Sequence, residues 1–136
     1  MEEIKIIATE SLGVRSLCCT VQTENKRIVI DPGIALGYQR KGQFPHPIQI
    51  AVDEILKERI ITELKDATDV VFSHYHGDHI PSADANPYQL SLDKVEKYLR
   101  KTKVWAKGLE NESAKMQKRG KNIKMNVSNF IIAEGE

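Results

Sequence analysis

The sequence predicts an α/β (α+β) domain, a mixed sheet with flanking helices, and three observations carry that reading. Short runs rich in β-branched residues at 3–9, 17–23 and 27–30 are separated by tight polar turns. A long stretch at 48–66 repeats apolar residues at helical spacing. A further apolar run at 69–73 opens directly onto a cluster of histidines. At 136 residues the chain is long enough to bury one core and short enough for one domain.

Taken in order, Ile4, Ile6 and Ile7 mark a first strand, and Gly13 centres the turn at 10–16. Leu17 to Thr23 is a second strand, Glu24-Asn25-Lys26 a hairpin turn, and Arg27 to Ile30 a third strand closed by Asp31-Pro32-Gly33. Residues 33–47 form a long loop with Gly37, Tyr38, Arg40, Lys41, Gly42 and Phe44, suited to one wall of a site. His46, between two prolines, reads as an exposed loop histidine outside any metal set.

The helix at 48–66 places Ile48, Val52, Leu56, Ile60 and Leu64 on a stripe beside Ile55, with Asp53, Glu54, Lys57, Glu58 and Lys65 elsewhere. Residues 81–90 are irregular. Ser91 is placed to cap a helix running to about Lys101, and 104–106 reads as a strand. Glu110 to Arg119 reads as a polar helix stopped by Gly120, and Phe130 to Ile132 as a last strand.

Composition excludes several classes. Hydrophobic residues at 40% and charged residues at 29% fit a folded globular chain and not a disordered one. No run approaches the ~18 apolar residues that span a bilayer. The acidic amino end lacks the apolar segment of a secretory signal. Cys18 and Cys19 are adjacent, where an ordinary disulfide does not fit, so a reduced, cytoplasmic protein is expected. Charge is uneven: residues 1–93 hold 9 Lys/Arg against 14 Asp/Glu, and residues 94–124 hold 11 against 3. That basic block is either a pair of solvated helix faces or a surface for phosphate or nucleic acid.

The chemistry concentrates at 70–79. Three of the chain's four histidines and an aspartate fall within His74-Tyr75-His76-Gly77-Asp78-His79, straight after an apolar strand. Imidazole and carboxylate are ligand types that zinc and similar ions take. On a helix His74 and His76 would diverge by about 200°. On a continuous strand Asp78 and His79 would part. The four converge only on a sharply turned loop, for which Gly77 offers positive φ and Pro81 delays any following helix.

His74-x-His76-x-Asp78-His79 resembles the His-x-His-x-Asp-His signature of the metallo-β-lactamase superfamily. With Ile30-Asp31-Pro32-Gly33 upstream and Asn86-Pro87-Tyr88-Gln89-Leu90 downstream, most of the chain is similar to a largely archaeal branch of hydrolases within it. The resemblance implies part of an αββα sandwich. It implies His74 and His76 on one metal and Asp78 and His79 on a second. Zinc is expected, with manganese and iron as alternatives, and Asp31 stands behind the ligands to orient them.

The implied reaction is hydrolysis by metal-activated hydroxide of an ester, amide, lactone, thioester or phosphodiester. Asp78 would also orient the water or shuttle a proton. Phosphodiesterase or nuclease action on RNA or DNA is the second expectation, and a half-domain without turnover is the third. Complete domains of the superfamily take further histidines and a bridging aspartate from a second αβ half. No histidine follows His79 here, so residues 1–136 read as the amino-terminal half. A carboxyl-terminal half or a second copy would complete it, and an apolar surface would be left open to pairing.

Overall fold

The computed structural model describes residues 2–37, 41–127 and 129–133. Tyr38 and Arg40 of the predicted loop wall, and the final Glu134 and Glu136, lie outside the described residues. Strands β1 (Glu3–Thr9), β2 (Leu17–Gln22) and β3 (Arg27–Ile30) form an antiparallel meander. Strands β4 (Asp69–Phe72), β5 (Lys103–Ala106) and β6 (Phe130–Ile132) continue the sheet in parallel, in the order β1 to β6. Helices α1 (Pro47–Lys65), α2 (Leu92–Leu99) and α3 (Ala114–Asn126) make the three crossovers between β3 and β6. The mixed sheet with flanking helices is the predicted architecture.

Each crossover joins neighbouring parallel strands and moves the chain one strand further in the same direction. Right-handed connections therefore lay all three helices on one face of the sheet. That face is the core: Thr20, Val29, Val70, Phe72, Val104 and Ala106 are buried along it. The opposite face carries Ile4, Val21 and Ile28 in one cross-strand row. Ile6, Cys19, Ile30, Val71, Trp105 and Ile131 form the next row. These side chains are only half-buried or exposed, Ile4 at 72% and Ile6 at 63%. Trp105 Nε1 donates to Asp69 Oδ2 (2.9 Å) on the same face, where Lys26 pairs with Asp69 (3.2 Å).

His46 starts α1. Its Nδ1 accepts from Ile48 N (3.1 Å), while Gln49 Oε1 accepts from His46 N (3.2 Å), a reciprocal cap that satisfies two otherwise orphaned donors. The predicted stripe on α1 needs correction. Ile48 and Ile55 are exposed, whereas Asp53, Lys57 and Glu63 are buried beside Leu56, Ile60 and Leu64. A repeat of four advances about 40° per step on a helix of 3.6 residues per turn, so five such residues cannot share one face. Pairing compensates the burial of Lys57 and Glu63 and offsets that of Asp53 in part. Lys57 Nζ meets Asp53 Oδ2 at 3.0 Å and Pro87 O at 2.8 Å, and Glu63 pairs with Lys5 and Arg27.

The last helix also departs from expectation. Ser113, not Glu110, begins it, its Oγ accepting from Met116 N (3.3 Å). Gly120 lies inside α3 and does not end it. A Cβ there would come within 2.3 Å of Leu109 Cδ2 and 3.1 Å of Tyr75 Cε1, so this glycine admits close packing. Ser91 occupies the N-cap of α2, but its hydroxyl donates to Asp93 and accepts from no backbone amide of the helix. No described helix is long and apolar enough to cross a membrane.

Candidate metal centre

The site forms where β3 and β4 end side by side. Asp31 follows β3 with φ of +49°, a left-handed turn that aspartate tolerates. Its N–H donates to Val71 O (2.9 Å), fixing it across the end of β4. From there its carboxylate reaches the motif. Oδ1 accepts from Ser73 N (2.7 Å), and Oδ2 accepts from Ser73 Oγ (2.5 Å) and faces His79 Nδ1 (3.1 Å).

This network fixes two tautomers. The single Ser73 hydroxyl proton goes to Asp31, so the contact between Ser73 Oγ and His74 Nδ1 (2.8 Å) has the ring nitrogen as donor. His79 Nδ1 likewise donates to Asp31. Both imidazoles are left with an Nε2 lone pair directed away from the network. No local pattern in the sequence marks Ser73 for this role, although it sits between strand and motif.

Backbone geometry gathers the remaining ligand types. His79 N and Ile80 N both donate to His76 O (2.9 and 3.1 Å), closing one helical turn that returns His79 beside His74. The ring centroids of His74 and His79 are 4.1 Å apart, and those of His74 and His76 4.8 Å. Asp78 Oδ2 lies 3.5 Å from His79 Nε2. Donor atoms of Asp31, His74 and His79 all lie within 4.8 Å of one another. The structure thus groups the donor atoms of Asp31, His74 and His79; of the other predicted ligands, the His76 ring lies 4.8 Å from that of His74, and Asp78 lies beside His79.

Gly77 plays a different part from the expected one. Positive φ among the described glycines occurs at Gly13 and Gly42, not at Gly77. A Cβ at Gly77 would instead meet Gln89 Nε2 at 2.5 Å and Arg119 Nη2 at 3.4 Å, so its role is close approach. Tyr75, the spacer between the first two histidines, points the other way. It is fully buried, and its hydroxyl donates to Lys107 O (2.5 Å). Burial pushes that phenol up to about 12, so it stays a neutral anchor for the loop. Burial, and then the neighbouring His79, holds the His74 imidazole below its ordinary range and favours the neutral form.

The donor set suits a divalent transition ion. Donor atoms of two imidazoles and one carboxylate converge, and that carboxylate holds both imidazoles in the ligating tautomer, His79 directly and His74 through Ser73. His46 stands apart at the start of α1, and Cys18 and Cys19 are free thiols in β2. Burial raises both thiols and leaves them protonated.

Comparison with known proteins gives the chain's family. A UPF0282 protein of Methanosarcina mazei is 44% identical over 121 residues, which are 89% of this chain and 40% of that protein. UPF0282 proteins of Metallosphaera sedula and Pyrococcus furiosus are 38% and 37% identical over 68% and 72% of the chain. The chain spans 30% and 32% of those two relatives. A crystal structure from Thermotoga maritima, described as that of a metallo-beta-lactamase by assignment, shares the fold. Its TM-score is 0.57 at 17% identity, over 99% of this chain and 60% of that one. Residues 13–115 match the family profile of the metallo-beta-lactamase superfamily, and the chain belongs to that superfamily.

Proposed function

We propose that this chain carries the signature half of a metal-dependent hydrolase site. His74 and His76 would hold one ion and Asp78 and His79 a second, with zinc the first choice and manganese or iron the alternatives. When bound, such an ion acidifies water to a pKa of about 7 and polarises a carbonyl or phosphoryl oxygen. The rest falls to the chain's own side chains. Asp31 keeps the Nδ1 protons of His74, through Ser73, and of His79 in place, so both Nε2 atoms stay available. Asp78, whose Oδ2 lies 3.5 Å from His79 Nε2, would also orient the attacking water or shuttle its proton.

The relay from His74 through Ser73 to Asp31 and on to His79 is the observation that carries this reading. A polar surface turn has no need of a buried carboxylate that sorts tautomers. Two ligands per ion are fewer than the three of ordinary catalytic sites. Since the three relatives above are matched over 40% of their length or less, we assign the missing ligands to a complementing segment or to a second copy.

Elemental analysis of the purified chain beside a His74→Ala/His76→Ala variant tests the reading. Near-stoichiometric zinc, manganese or iron, lost in the variant, is the expected result. Absence of metal from both proteins after metal is added back would overturn it.

A further inference from the structure

One feature of the motif's surroundings is unexplained by metal binding. Arg119, the arginine of the lysine-rich α3, turns inward and is only 8% exposed. Lys115, Lys118, Lys121 and Lys124 on the same helix are exposed, as expected for a solvated face. A guanidinium has five N–H donors and is costly to bury without partners. Among the described residues it makes two contacts, both long: Nε to Asp84 Oδ1 and Nη1 to Tyr75 O, each 3.4 Å. Asp84 is itself 48% exposed and compensates the charge weakly.

Arg119 borders a shallow pocket shared with Arg15, Ala35, His76, Gly77, Asp78 and Gln89. The backbone builds that pocket. Arg15 and Ala35 exchange two hydrogen bonds of 2.9 Å, which set the exposed Arg15 side chain at the rim. Gln89 is held by its own turn, its Oε1 accepting from Asn86 N (3.0 Å), which leaves its amide nitrogen over Gly77. With no Cβ, Gly77 leaves the floor open between Gln89 and Arg119. Two arginines and a glutamine therefore line one hollow. The carboxylate that shares it, Asp78, leans toward His79.

We propose that Arg119, Arg15 and Gln89 form an oxyanion subsite beside His76 and Asp78, which receives a phosphate or carboxylate group of the substrate. Planar guanidinium forks suit both groups. As a substrate subsite it rests on the hydrolase reading above, but its affinity for an oxyanion does not need the metal.

The test uses the chelator-treated chain at constant ionic strength. Inorganic phosphate, acetate and neutral trimethyl phosphate are titrated while the amide resonances of Gly77, Asp78 and Gln89 are followed by NMR. Saturable shifts are expected with phosphate or acetate and none with trimethyl phosphate, and the tighter anion identifies the group recognised. Arg15→Ala and Arg119→Lys should each weaken binding about fivefold or more. Arg15 is exposed, so its variant stays informative if the Arg119 variant unfolds. Non-saturating shifts, or equal affinity in Arg15→Ala, would overturn the proposal. Oxyanion binding by a chain that takes up no metal would keep the subsite and remove the hydrolase reading.

Discussion

Replacing Gly33 with alanine should damage the metal loop from outside it. The Asp31-Pro32-Gly33 turn packs directly on the motif, and a Cβ at Gly33 would sit 2.3 Å from Ile80 N and 2.4 Å from His79 C. These are backbone atoms, so relief to 3.4 Å requires about 1 Å of movement in the turn or in the motif. The turn is pinned, since Gly33 O accepts from Ser16 Oγ (2.6 Å) and Gly33 N donates to Asp31 O (2.8 Å). The motif must therefore yield.

Overpacking costs about 1–3 kcal/mol. Loss of the bond between His79 and the Asp31 carboxylate adds about 1.5–3 kcal/mol. A total of about 2.5–6 kcal/mol is a large share of the ~5–15 kcal/mol that holds a domain together. Urea unfolding followed by circular dichroism measures the stability, and competition with a chromophoric chelator measures the metal affinity. A glycine in open space would give the opposite sign, a gain of about 0.4–1 kcal/mol from the stiffer unfolded chain. A Gly33→Ala variant as stable as the parent, with unchanged metal affinity, would refute the packing argument.

Three further outcomes follow from named contacts. Asp31→Asn sets an amide donor against the Nδ1 proton of His79, and metal affinity should fall about 10–100-fold by chelator competition. Lys57→Met strands the buried Asp53 carboxylate and should cost about 3–5 kcal/mol in urea titration, whereas Asp53→Leu/Lys57→Met should recover most of that loss. Burial pushes Asp53 up to about 6 from 3.8, despite Lys57 beside it. The unfolded chain releases this proton first, so the parent should lose about 3 kcal/mol relative to Asp53→Asn as pH rises from about 3 to about 7, then level off. Urea midpoints across that range check both the sign and the plateau.

The strands were legible because their apolar runs are short, β-branched and closed by turn residues, as at Arg27 to Asp31. The ligand cluster was legible because three histidines in six positions have few structural uses. The helix faces were harder. Ile48 and Ile55 look like core residues in a list, and the drift of a four-residue repeat puts Asp53 and Lys57 inward instead. Gly120 reads as a stop signal because a sequence shows the missing side chain but not the Tyr75 ring that requires the space. Ser73 and Arg119 depend on contacts across 42 and 35 residues, to Asp31 and Asp84, and no local pattern announces either. The local signal of Arg119 is slight: an arginine in a helix whose other cations are lysines.

The chain's single tryptophan stands on the helix-free side of the sheet, tied to Asp69 and flanked by Val71 and Ile131. Trp105 is thereby an intrinsic optical reporter of whatever lies against that side. Dehydration of the indole by a second polypeptide or a second copy shifts its emission to the blue and slows its quenching by iodide. Assembly against that side can therefore be followed by the protein's own emission, without a label.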